Sequence, residues 1–76
     1  MEIYADILAQ AKEGVTKTRI MYKANLSFIL LKKSLNELTS LELIEPQESL
    51  YKTTGAGLRF LALYDEIESL VSLGGE

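Results

Sequence analysis

Two hydroxyl side chains suited to starting helices, Thr16 and Ser27, stand so close together that only a short helix and a tight turn fit between them. Ser or Thr at a helix start accepts a hydrogen bond from a backbone N–H that has no partner within the helix. Thr16 therefore caps a short helix running to about Tyr22, with Ile20 and Met21 as its apolar contribution. Lys23-Ala24-Asn25-Leu26 reads as a turn, because Asn tolerates left-handed backbone angles and Leu26 can anchor the turn in a core. Ser27 then opens a longer helix from Phe28 to about Leu41. The rest of the chain has to fold around this pair.

Upstream, Ile3, Ile7, Leu8 and Ala11 recur at helical spacing over residues 2–13, and Gly14 supplies a stop. On the wheel of the helix that starts at Phe28, Leu30, Leu31, Leu35, Leu38 and Leu41 share one broad side. Ile29, Lys32, Lys33, Asn36 and Ser40 fall on the other. Past Leu41 the period changes. Leu43-Ile44-Glu45 and Leu50-Tyr51-Lys52-Thr53 are short β-like runs, joined by the turn chemistry of Pro46-Gln47-Glu48-Ser49 into a two-stranded hairpin. Thr54 caps a last helix whose first turn is Gly55-Ala56-Gly57. Each of those glycines costs about 1 kcal/mol against Ala, and so demands a reason such as close backbone approach. The expected fold class is mainly α with a small β-hairpin. Three helices, a hairpin and a closing helix is the order of a winged helix-turn-helix, with the third helix entering the major groove and the hairpin as wing.

Seventy-six residues, 47% of them apolar and 25% charged, make one globular domain. A domain this small is marginal, so either its packing is efficient or a second chain completes its core. With no Cys, His or Trp there are no disulfides, no thiolate zinc site and no imidazole base. Only carboxylate, Lys, Tyr and hydroxyl groups remain for catalysis, which points away from an enzyme, and no cofactor or metal is called for. No apolar run is long enough to span a membrane. The start, Met1-Glu2-Ile3, lacks the basic region of a signal peptide, so a cytoplasmic location is expected.

The net charge of −3 conceals a strong polarity. Residues 14–33 carry Lys17, Arg19, Lys23, Lys32 and Lys33 with no acid, while residues 60–76 carry Asp65, Glu66, Glu68 and Glu76 with no base. Attraction to a polyanion depends on the local field at the contact rather than on the whole-chain sum.

With these elements placed, Lys17-Thr18-Arg19-Ile20-Met21-Tyr22-Lys23-Ala24-Asn25-Leu26-Ser27 resembles the helix-two-to-helix-three segment of small archaeal winged-helix DNA-binding proteins. That group holds transcription regulators and dimeric chromatin-type proteins. Leu31-Lys32-Lys33 with Leu35, Leu38 and Leu43-Ile44 agrees in order and spacing, as does Tyr51-Lys52-Thr53-Thr54 with Gly57 and Phe60-Leu61. The chain departs from the group at Ala56, where a basic residue is common, at the apolar Phe28-Ile29-Leu30, and at the acidic wing residues Glu45 and Glu48.

The resemblance implies double-stranded DNA as partner. Thr16, Thr18 and Ser27 are candidates for backbone oxygens, as are Lys17, Arg19 and Lys23 on or beside helix two. Phe28, Ile29, Lys32, Lys33 and Asn36 on helix three and Lys52 on the wing complete the candidate contact set. Arg19 suits bidentate contact, and Asn36 an adenine edge.

On the last helix Leu58 and Leu61 are expected to pack on the domain. Phe60, Leu63, Tyr64, Ile67, Leu70 and Val71 form a second stripe at alternating three-four spacing. A small domain has too little interior for both, so the second stripe is expected to form a homodimer; folding back on Ile3, Tyr4 and Ile7 is the alternative. Residues 1–57 then make the DNA-binding domain and 58–73 the dimerisation helix. The expected function is a dimeric, DNA-binding transcription regulator. The alternatives are an architectural chromatin-type protein and a winged-helix protein-interaction module without DNA binding.

Overall fold

The computed structural model describes residues 2–74, with the side chain of Leu73 outside the description; Met1, Gly75 and the last acid, Glu76, lie outside the described residues. In chain order the elements are α1 (Glu2–Gln10), β1 (Val15–Thr16), α2 (Lys17–Ala24), α3 (Phe28–Ser40), β2 (Ile44–Gln47), β3 (Leu50–Thr53) and α4 (Gly55–Gly74). The architecture is mainly helical with a small antiparallel sheet, as expected.

The first helix is shorter than its apolar spacing suggests. Ala11 still donates to the Ile7 carbonyl, but its own carbonyl accepts from both Gly14 and Thr53, which draws the chain out of the helix into a turn. Gly14 sits at φ +95°, a backbone angle that favours glycine. Thr53 finishes the same helix end. Its buried hydroxyl donates to the Leu8 carbonyl at 2.6 Å, one of the groups a helix C-terminus leaves without a partner.

Thr16 and Ser27 cap α2 and α3, where they were expected. Thr16 Oγ1 accepts from the Arg19 amide at 3.2 Å, and Ser27 Oγ from the Leu30 amide at 3.1 Å. Between them Asn25 adopts φ +56° just after α2, and the Leu26 amide reaches back to the Met21 carbonyl. The same closure ends α3. The Leu43 amide donates to the Leu38 carbonyl and the Glu42 amide to Thr39, both at 3.0 Å, with Glu42 at φ +60°. Such a closure favours Gly at the left-handed position, where a Cβ crowds the following carbonyl. Glu42→Gly is therefore expected to raise stability by about 1 kcal/mol, read as a higher urea midpoint at unchanged slope.

The sheet holds one strand more than a hairpin. Its order is β1-β3-β2, with Val15 opposite Tyr51 and Ile44 opposite Thr53. Pro46, read from sequence as turn, belongs to β2 and faces Tyr51; β2 is an edge strand, where a missing N–H breaks no ladder bond. The turn is only Glu48-Ser49, with Glu48 at φ +55°.

Ile7 and Leu8 of α1, Ile20 of α2, Leu31 and Leu38 of α3 and Ile44 of β2 are fully buried, and Leu61 of α4 joins them. Three side chains assigned inward from the wheel lie further out. Leu41 is 60% and Leu58 46% exposed, because one follows the end of α3 and the other stands in the first turn of α4; Leu30, in the first turn of α3, is also exposed. Phe60 and Tyr64 lie half-buried against the core, and their rings stack at 6.4 Å.

Partial burial raises the Tyr64 pKa above its usual value near 10, and Glu68, Glu2 and Asp6 add to the effect. The folded chain then holds this proton at pH values where the unfolded chain has released it, so stability falls as pH rises past about 10. Phenolate absorbance of the wild type minus that of Tyr64→Phe is expected to show a group ionising above 10, and the variant's alkaline loss of stability should be shallower.

Candidate functional site

Cap geometry sets the site. The short α2 is started by Thr16 and stopped by Asn25, and Ile20 is its one fully buried side chain, so most of its circumference is open. Lys17, Thr18, Arg19 and Lys23 are all exposed on it. Tyr22 stands among them at 86% exposure, the most exposed large apolar side chain on the molecule's described surface. Sequence reasoning passed over Tyr22 because it placed the helix end there. Two more residues of helix put it about 200° from Ile20, a signal available once the helix is known to reach Ala24.

Two surface grooves gather the candidate residues. Thr16, Arg19 and Lys23 line the first, beside Gln10, Gly14, Val15 and Leu50, where β1 meets α2. Gln10 Oε1 is buried here with no hydrogen-bond partner. The second groove runs along α3 and is lined by Phe28, Ile29, Lys32, Lys33, Asn36 and Glu37. Its walls are mainly apolar, since the lysines contribute their methylene stems and hold their charges outward.

Thr16 and Ser27 spend their hydroxyl oxygens on the amides of Arg19 and Leu30, so their first role is to fix the starts of α2 and α3. In the first turn of α3 the amides of Phe28 and Ile29 precede the first helical bond, which leaves a positive dipole end there. Lys52 joins neither groove. It stands opposite Glu45 in the β2–β3 register, where opposite charges offset one another. Glu45 also accepts from Gln47 Nε2 at 2.9 Å, and Glu48 occupies the hairpin tip. The hairpin is thus locally acidic while α2 and the front of α3 are basic.

The second-stripe residues divide. Phe60 and Tyr64 pack toward α1, whereas Leu63, Ile67, Leu70 and Val71 remain 56–69% exposed. The residue pair 57/58 falls inside the continuous α4, and Leu61 beyond it belongs to the core. From Asp65 to Ser72 every residue of α4 is exposed, which contributes to a long axis of 42 Å.

Among the described residues no group of three or more Asp and Glu side chains is placed to hold a metal ion, and no helix is long and apolar enough to cross a membrane. A family model described as winged helix-turn-helix matches residues 1–72. No curated protein matches the chain.

Proposed function

The chain belongs to the winged helix-turn-helix family, and from that premise we propose that it binds double-stranded DNA as a homodimer and regulates transcription, with α3 in the major groove. The observation that carries this reading is the surface from Thr16 to Asn36. It presents Lys17, Arg19, Lys23, Lys32 and Lys33 exposed on two consecutive helices, with no acidic residue between Gly14 and Asn36. In a helix-turn-helix the first helix of the pair crosses the phosphate backbone and the second lies in the groove. Lysines and Arg19 on α2 suit phosphates, and Asn36 with Lys32 and Lys33 suits base edges and the near strand. The acidic hairpin suits a wing held off the sugar-phosphate chain.

The exposed stripe on α4 supports the homodimer. Isolated helices shorter than about 12–15 residues are marginal in water, so the projecting half of α4 calls for a packing partner. Each large apolar side chain taken fully from water contributes about 1.5–3 kcal/mol, and four are available per protomer. The segment Lys17–Ser27 supports an archaeal-type regulator in the cytoplasm, and the small basic patch favours regulation over architectural coating of DNA.

The test is fluorescence anisotropy of random-sequence duplex DNA at two salt concentrations. Binding is expected to weaken steeply with salt, and Lys32→Ala with Lys33→Ala should flatten the logarithmic slope by roughly one unit per lost phosphate contact. Absence of binding at low salt would overturn the reading. It would favour instead a protein-interaction module, the second reading suggested by exposed Phe28 and Ile29.

A further inference from the structure

The α3 groove contains a feature that phosphate attraction does not use. Phe28 is 59% and Ile29 80% exposed, in the first turn of the helix, side by side with Lys32 and Lys33. Neither side chain serves the core, whose contacts from this helix come from Leu31, Ser34, Leu35 and Leu38. An apolar pair in open water at the tip of a cationic helix fits a surface that is itself polyanionic at its edges and apolar at its floor. The major groove offers that combination at one place only. Thymine carries a C5-methyl group there, between phosphates on either side, and apolar side chains recognise it by contact.

The geometry points to Phe28 and Ile29 as readers of thymine methyl groups, so that this protein selects A·T pairs by apolar contact rather than by hydrogen bonds. The inference rests on the proposed DNA binding and adds to it the chemistry of selection. The charge around the pair favours DNA over an apolar protein partner. Lys32 and Lys33 line the same groove, Lys17, Arg19 and Lys23 lie on the preceding helix, and Glu37 is the single acid, at the far end. Asn36 lies one turn beyond Lys32 and Lys33, placed for the adenine edge of a neighbouring pair.

The experiment compares short duplexes of alternating A·T, the same duplex with deoxyuridine in place of thymidine, and a G·C duplex with and without 5-methylcytosine. Uracil pairs as thymine does and lacks only the methyl group, so charge and hydrogen bonding are unchanged. Affinity is expected to fall about fourfold per contacted methyl on the uracil duplex, the equivalent of burying one CH₂ group, and to rise on methylating cytosine. Phe28→Ala with Ile29→Ala should abolish both preferences while leaving the salt slope as in the wild type. Both side chains are exposed, so the variant is expected to fold; a retained salt slope confirms it. Equal affinity of the wild type for the thymine and uracil duplexes would overturn the inference and leave DNA binding standing. Failure to bind any of these duplexes at low salt would overturn both, and would turn this face toward a protein partner.

Discussion

Gly57→Ala is expected to destabilise the protein by at least about 3 kcal/mol, the upper range for forcing extra carbon into a filled site. Helical glycines are ordinarily improved by Ala, so the sign depends on what surrounds the position. At Gly57 a Cβ would overlap the Leu43 carbonyl oxygen and come within 2.6 Å of Thr53 Cγ2. That carbonyl cannot retreat, because it accepts from the Thr54 amide at 3.0 Å. Nor can the glycine swing out, since its own amide donates to Thr54 Oγ1 at 3.0 Å. A domain of 76 residues has roughly 4–11 kcal/mol of stability in all. A loss of this size lowers Tm by at least about 12 °C. Gly55→Ala is the control, because a Cβ there meets nothing within 4 Å. It should raise stability by about 0.4–1 kcal/mol through the unfolded chain alone. If thermal denaturation finds Gly57→Ala neutral, the close approach of α4 to Leu43 is not a constraint on the fold.

The second large effect concerns binding. Ile67→Glu places a charge in the middle of the exposed α4 stripe, between Leu63 on one side and Leu70 and Val71 on the other. Ile67 is 57% exposed, so the folded protomer loses little. A homodimer built on this stripe would lose its centre, and sedimentation equilibrium should find the variant monomeric where the wild type is dimeric. On a duplex with two half-sites the affinity should fall by about 10²–10⁴, the advantage that joining two modules confers. On a single half-site it should barely change. A wild-type protein that sediments as a monomer at micromolar concentration would remove the homodimer, and equal loss on both duplexes would place Ile67 in the protomer's own fold.

Local chemistry was the legible part of this chain. Thr16, Ser27 and Asn25 announced their roles because a cap or a left-handed residue acts on amides three or four positions away. What depended on distant partners was not legible. β1 is only Val15–Thr16, too short to show a period, and exists because Tyr51 and Leu50 come to lie beside it. Pro46 reads as a turn until β2 is known to be an edge. The wheel of α3 gave Leu30 and Leu41 a side but not a depth, and depth depends on where the neighbouring elements stop. Leu58 failed for the same reason. The basic face of α2 was legible as charge, whereas Tyr22 required the helix to end at Ala24. Gly57 was suspect from sequence, and its reason emerged only with the Leu43 carbonyl in place.

Thr54 leaves no slack between α3 and the projecting α4. Its amide is held by Leu43, its hydroxyl donates to the Glu42 carbonyl at 2.6 Å, and the same oxygen accepts from Gly57. The end of α3 and the start of α4 therefore turn as one piece. In the proposed two-fold assembly the gap between the two copies of α3 would become a dimension of the protein, as in a caliper. Such an instrument would grip targets whose halves recur in phase, a whole turn of about 34–36 Å apart, and would slide over those whose second half faces away.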